Sequence, residues 1–198
     1  MIKIENVEKQ TFVNIIVEGE VWKKLDKKLY SKHLRKIRTC TDKKSLTDLF
    51  SVLEEQVALG YVYKLLAMKG YLENQLRKKL KERHFEEKAI EAVLGVCREK
   101  GYINDVREAK GFVEREKRRG QGPKAIVQRL KEKAGVSLEV SFSQEEEREK
   151  LEQLLEKRFP DLSEIKTKER AYRFFQRRGF SEHLIREILF AESEPHYW

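Results

Sequence analysis

The chain has 198 residues, 43 of them Lys or Arg and 34 Asp or Glu, which gives a formal charge of +9 at pH 7. Charged and hydrophobic residues each make up 39% of it, a balance too polar for a membrane protein and too apolar for a disordered one, so one extended domain or a string of small units is expected. No apolar run approaches the ~18 residues that span a bilayer, and Met1-Ile2-Lys3-Ile4-Glu5 lacks the apolar core of a signal peptide; a cytoplasmic location follows as an expectation. Cys40 and Cys97 belong to no Cys-x-x-Cys pair, so neither a disulfide framework nor a zinc cluster is offered.

From the N-terminus, Ile2-Lys3-Ile4 and the β-branched run Phe12 to Val17, closed at Gly19, predict a small two-stranded hairpin over roughly residues 2 to 22. No proline precedes Pro123, so most of the remaining chain is free to be helical. Ser45 and Asp48 have capping-box spacing, and Leu46, Leu49, Phe50, Leu53 and Val57 keep helical spacing after them, which predicts a helix from there to about Met68. Gly101 stands where a left-handed terminator is wanted, with Asn104 or Asp105 able to cap the next helix. Pro123 sits in a favoured first-turn position, and Ser143 with Glu146 forms a second capping-box pattern. Between Val136 and Phe142 apolar residues alternate, which fits an extended piece or a shortened helix.

Internal repetition organises these helices. His84-Phe85 to Leu94 aligns with Gly179-Phe180 to Leu189, and upstream Leu76 and Leu80 pair with Ala171 and Phe175, which preserves a four-residue step and one buried face. A middle copy runs through Ile126, Leu130 and Gly135-Val136, with one extra residue before the turn. The resulting divisions are an N-terminal hairpin and connection (1–44), repeat 1 with a leading helix (45–104), repeat 2 (105–142) and repeat 3 with a C-terminal tail (143–198).

Chemistry-bearing constellations are not visible. His33, His84, His183 and His196 are scattered without ligand spacing, so no metal, cofactor or catalytic set is expected. Arg119-Gly120-Gln121-Gly122-Pro123-Lys124 lacks the Gly-Lys-Ser/Thr ending of a phosphate loop; it reads as an interhelix turn, or as a helix N-terminus flanked by cations and able to hold a phosphate. Tyr102, Phe112, Phe159, Phe174, Phe175 and Phe180 mostly keep helical or turn spacing and read as core, whereas the sequence places neither Trp22 nor Trp198. Basic residues recur in every repeat: Arg77, Lys78, Lys79, Lys81 and Arg83, then Arg115 to Lys133, then Arg173, Arg177 and Arg178. Intervening Glu residues neutralise part of this charge, but the sum over three repeats points to an anionic partner, either phosphate or an acidic protein surface.

The ordered motifs carry a family resemblance. A three-helix unit ending in Gly101-Tyr102-Ile103-Asn104-Asp105, a basic helix followed by Gly120-Gln121-Gly122-Pro123 and Ile126/Leu130, and Arg177-Arg178-Gly179-Phe180-Ser181 followed by Ile185 resemble the RecX regulatory proteins over residues ~60 to 191. The hairpin from Ile2 to Trp22 is similar to one found on many members. The resemblance implies a mainly α fold, an elongated, curved array of three tandem three-helix repeats with a small N-terminal β-hairpin. It also implies a non-enzymatic regulator that binds RecA recombinase, lies in the groove of the RecA–DNA filament, and inhibits its ATPase, coprotease and strand-exchange activities, modulating recombination and the SOS response. Single- and double-stranded DNA alone would bind more weakly, and a chain that wraps a filament has no need to self-associate, so a monomer is expected. Departures fall mostly in repeat 1: Met68-Lys69, Leu72 and Gln75-Leu76 replace an Arg-Arg pair, a Ser and a Glu-Leu, and Arg83-His84 replaces Lys-Gly. In repeat 2, Glu108-Ala109 replaces an aromatic-Ala and Lys133-Ala134-Gly135-Val136 replaces Lys-Gly-Ile.

The candidate contact residues are Arg115, Arg118, Arg119, Lys124, Arg129, Arg177 and Arg178, because they flank turns where cations and helix N-termini converge. The competing reading is a basic helical DNA- or RNA-binding protein without direct RecA contact, which would show a steep salt slope.

Overall fold

The computed structural model describes residues 2–7, 11–135 and 143–190. Two compact units divide the chain, Met1–Asp105 and Val106–Trp198.

Unit 1 opens with three antiparallel strands, β1 (Ile2–Asn6), β2 (Phe12–Val17) and β3 (Glu20–Asp26), with β2 in the centre. Ile4 pairs with Ile15, Val13 with Leu25, and a bulge lies between Ile15 and Ile16. Glu18 and Gly19 close the β2–β3 turn with φ of 56° and 91°, the left-handed pair that lets a two-residue turn follow strand twist. The expected hairpin is therefore corrected to three strands, the last running beyond Trp22 to Asp26. Two of its charged residues, Lys23 and Asp26, are buried against distant partners. Lys23 Nζ donates to Glu54 Oε2 at 2.7 Å and also to Glu86, while Asp26 accepts from the Lys28 and Leu29 amides and from Arg83 at 2.5 Å. Burying these charges is tolerable only because each is paired.

Helices α1 (Leu34–Arg38), α2 (Lys43–Met68), α3 (Glu73–Glu82) and α4 (Glu87–Glu99) complete the unit. The start of α2 lies a turn earlier than the Ser45/Asp48 spacing suggests. Asp42 accepts from the Ser45 amide at 2.7 Å and the Ser45 hydroxyl accepts from the Asp42 amide, so Ser45 is the last residue of the box and not the first. Val13, Ile15, Val17 and Leu25 from the sheet join Leu46, Phe50 and Leu53 of α2, Leu76 and Leu80 of α3, and Ile90, Leu94 and Cys97 of α4 in one buried core. Asp105 closes the unit: its carboxylate accepts from the Glu73 amide at 2.8 Å, serving the start of α3.

Unit 2 contains α5 (Asp105–Arg118, entering from the boundary), α6 (Pro123–Ala134), α7 (Gln144–Arg158), α8 (Ile165–Arg177) and α9 (Glu182–Phe190). Pro123 takes the first turn of α6, and Ser143 and Glu146 form the reciprocal box at α7, both as the sequence predicts. Leu151 and Leu155, Ala171 and Phe175, and Phe180, Leu184, Ile185 and Leu189 make the core of α7 to α9. Phe112 and Phe180 are buried as expected, whereas Tyr102, in unit 1, is half exposed with its ring against Tyr63 at 5.7 Å. The alternating Val136–Phe142 segment and the tail with His196 and Trp198 lie outside the described residues.

One turn type recurs at four helix ends. Residues His84, Gly101, Gly120 and Gly179 all have positive φ, from 61° to 80°. At each, the amide of that residue donates three residues back and the next amide five residues back, as in His84 to Lys81 with Phe85 to Leu80, or Gly179 to Gln176 with Phe180 to Phe175. This pair of hydrogen bonds satisfies the last orphan carbonyls of a helix. The repeat alignment that paired His84 with Gly179 is thus a backbone equivalence.

Candidate functional site

In unit 2 the α5–α6 turn and the α8–α9 turn clasp one another. The Gly122 amide donates to the Arg178 carbonyl at 2.8 Å and the Lys124 amide to the Gly179 carbonyl at 3.0 Å. Arg178 Nη1 returns to the carbonyls of Arg119 at 2.7 Å and Gly120 at 2.9 Å. The approach is close enough that a Cβ on Gly122 would sit 2.5 Å from the Phe180 nitrogen, and one on Gly179 would sit 2.3 Å from the Ala125 nitrogen. The Gly122 and Lys124 amides are therefore spent within the fold, which supports the interhelix-turn reading of Arg119 to Lys124.

The seven candidate cations divide by what they touch. Arg119 and Arg129 both donate, at 2.6 Å, to the buried carboxylate of Glu116. Burial pushes that carboxyl up, but hydrogen bonds from Arg129 and Arg119 outweigh it and hold it below the usual carboxylate range. Arg178 is committed to the clasp and lies 4.6 Å over the Phe174 ring; burial, and after it the charges of Arg158 and Arg129, press its guanidinium below the ordinary arginine value. The other four point their charge outward. Arg115 and Lys124 are exposed on α5 and α6, and among the described residues Arg118 and Arg177 engage only backbone carbonyls of their own helices, Glu114 at 3.3 Å and Arg173 at 3.2 Å.

Sequence reasoning missed a neighbouring feature. Around the end of α7 and along α8, Arg158, Arg170, Arg173 and Arg177 surround a concavity of ≈ 790 Å³ together with Phe159, Phe174 and Gln176. Among the described residues no carboxylate lines it. The spacing of Arg170, Arg173 and Arg177 puts them on one helical face, a signal present in the sequence; Arg158 joins them only through tertiary packing, where Phe159 meets Phe174 edge-on at 5.6 Å.

Unit 1 treats its basic helix differently. Arg77 on α3 pairs with Glu73 at 3.3 Å, Glu87 at 2.8 Å and Glu91, and Lys81 pairs with Glu87 at 2.9 Å. Arg83 is tied to Asp26 and lies over Tyr61. Among the described residues no group of His, Cys, Asp and Glu is placed to hold a metal ion, and no helix is long and apolar enough to cross a membrane.

Comparison with known proteins places this arrangement. The family model for the third three-helix domain of RecX matches residues 145–189, which are α7 to α9. "Regulatory protein RecX" of Haemophilus influenzae strain 86-028NP is 30% identical over 132 residues, covering 63% of this chain and 87% of its own length. The chain belongs to the RecX family. The protein of the same name from Pasteurella multocida is 33% identical over 132 residues, 62% of this chain and 80% of that one. A crystal structure of regulatory protein RecX superposes with a TM-score of 0.62 at 22% identity, over 96% of this chain and 98% of that one. RecX from Lactobacillus salivarius gives 0.57 at 19% identity, over 70% and 96%. These two likenesses concern the fold.

Proposed function

We propose that the chain is a non-enzymatic regulator that binds RecA recombinase and its DNA filament, and that binding inhibits ATPase, coprotease and strand-exchange activities. The observation that carries this reading is the match to relatives named regulatory protein RecX across most of their length. It is supported by the outward cations of unit 2, Arg115, Arg118, Lys124 and Arg177, which suit an anionic surface. Many separate contacts, each weak and salt-screened, would supply affinity and would oppose the subunit motions that ATP turnover needs. Arg119, Arg129 and Arg178 act in this reading by fixing the turns from which the free cations project.

Steady-state ATP hydrolysis by RecA of the same organism on single-stranded DNA, titrated with the protein at moderate salt, tests it. Inhibition at protein concentrations well below that of RecA is expected; no inhibition, or inhibition only where the protein saturates the DNA, overturns it. A second reading, nucleic-acid binding without direct RecA contact, is favoured by the arginine-lined concavity on α7 and α8. It predicts a steep fall of affinity for bare DNA with salt and an unchanged effect when RecA is omitted.

A further inference from the structure

We infer that the concavity bounded by Arg158, Arg170, Arg173 and Arg177, floored by Phe159 and Phe174, seats successive phosphates of a single-stranded nucleic acid. The inference rests on the nucleic-acid side of the function proposed above and assigns it to a place.

Four guanidiniums converge there without a lining carboxylate. Among the described residues, only Arg173 has an acidic partner, the exposed Glu169 one turn back at 3.5 Å, a contact that is weak in water. Arg158 lies 5.7 Å over the Phe174 ring, and Arg178 covers that ring at 4.6 Å, so a fifth positive charge lies beneath the four. Helix C-termini do favour cations, and Arg158 and Arg177 occupy the last turns of α7 and α8. Each terminus, however, carries only about half a negative charge, too little to offset five guanidiniums. In α3, by contrast, Arg77 and Lys81 pair with carboxylates of α4. The arginines of α8 thus lack the facing carboxylates that Arg77 and Lys81 meet on α4.

The chemistry selects the occupant. Every cation lining the space is arginine, whose planar fork matches phosphate bidentately. A volume of ≈ 790 Å³ far exceeds one inorganic phosphate and suits an extended polyanion. The half-buried rings of Phe159 and Phe174 offer apolar surface for bases turned inward, the pairing of cations and aromatics on which flexible single strands bind. A duplex keeps its bases stacked inside and presents a stiff convex ladder that an aromatic floor cannot use.

The test is fluorescence anisotropy of a labelled oligothymidylate with the full chain, without RecA, across a salt series. All four arginines are solvent-exposed, so Arg170→Gln/Arg177→Gln and Arg158→Gln/Arg173→Gln should both fold, as circular dichroism would verify. Lys43→Gln/Lys44→Gln on α2 removes the same net charge at exposed positions of unit 1 and serves as the control. Each cavity pair should weaken binding tenfold or more and flatten the slope of log affinity against log salt by about 1.4, as expected for two lost phosphate contacts; the control should change affinity less than twofold. Equal losses in control and cavity variants overturn the site, and competition by poly-glutamate as effective as that by unlabelled oligonucleotide overturns its assignment to nucleic acid. Because RecA is absent, either failure is distinct from failure of the inhibition assay, which reads the RecA contact separately.

Discussion

Arg83-His84-Phe85 in unit 1 and Arg178-Gly179-Phe180 in unit 2 occupy the same turn of the same repeat, with matching backbone bonds and opposite uses. In unit 1 the arginine reaches back to Asp26 and pins the sheet to the helices, and the left-handed residue can be histidine because its ring finds the Phe12 ring at 4.9 Å. In unit 2 the arginine reaches the Arg119 and Gly120 carbonyls and joins two helical hairpins, and the left-handed residue must be glycine because another backbone passes against it. The repeat thus conserves a hydrogen-bond pattern while each copy spends its side chains on its own neighbour. The same contrast runs through the charges: Arg77 and Lys81 of α3 are paired within their own unit, and the arginines of α8 are left facing outward.

Gly179→Ala should have the largest effect. It places a Cβ both in a left-handed residue, φ +80°, and 2.3 Å from the Ala125 nitrogen, so backbone strain adds to a clash that no rotamer relieves. A loss of about 3–5 kcal/mol from unit 2 in denaturant unfolding is expected. At Gly101, φ +66° with nothing within 4 Å, the same change should cost only about 1 kcal/mol. Equal costs at the two positions would remove the distinction between a turn that needs a conformation and one that also needs space.

Lys23→Met comes next, at about 3 kcal/mol, because it leaves the Glu54 carboxylate, 6% exposed, without its cation. Converting both residues to Met should recover most of the loss, since a buried pair can be exchanged for packing where half a pair cannot. That buried pair also shows why the sheet was misread. The strands Ile2–Asn6 and Phe12–Val17 announce themselves by β-branched residues, but Glu20–Asp26 carries Lys23, whose partners lie 31 and 63 residues away, and Asp26, whose arginine lies 57 residues away, and no local pattern reveals them. The helical repeats were more legible: Leu76/Leu80 against Ala171/Phe175, the Ser143 box and Pro123 are local rules, and all four apolar positions are fully buried. The candidate cations lie between these cases. Their clustering about the turns is written in the sequence, but the division into Arg119, Arg129 and Arg178, which hold the fold, and Arg115, Arg118, Lys124 and Arg177, which do not, depends on where Glu116 and the facing carbonyls fall in space.

Arg178→Ala should destabilise unit 2 by about 1–2 kcal/mol, the half-buried, charge-assisted bonds to two carbonyls being lost. If its equivalent, Arg83→Ala, destabilised unit 2 as well, the assignment of each arginine to its own unit would fail.

The smallest effect belongs to His84. Burial, and after it the nearby Lys24 charge, hold its imidazole below the usual 6.5. Between that folded value and 6.5 the unfolded chain binds more protons, so unit 1 should be at full stability above about pH 6.5 and lose some of it as pH falls through this window. His84→Gly relieves about 1 kcal/mol of left-handed strain and forfeits the Phe12 contact of about the same size, so its Tm near neutral pH should change little. The mutant should lack the acid-side decline, which thermal melts from pH 5 to 8 would show.

The central claim is that this RecX-family chain regulates a recombinase filament through the free cations of unit 2. The direct test is RecA ATP hydrolysis on single-stranded DNA in the presence of wild-type protein, a variant with Arg115, Arg118, Lys124 and Arg177 changed to Glu, and a variant with Lys43, Lys44 and Lys78 of unit 1 changed to Glu. Loss of inhibition by the unit 2 variant, with inhibition by the unit 1 variant retained, is the predicted result; undiminished inhibition by the unit 2 variant would contradict the account.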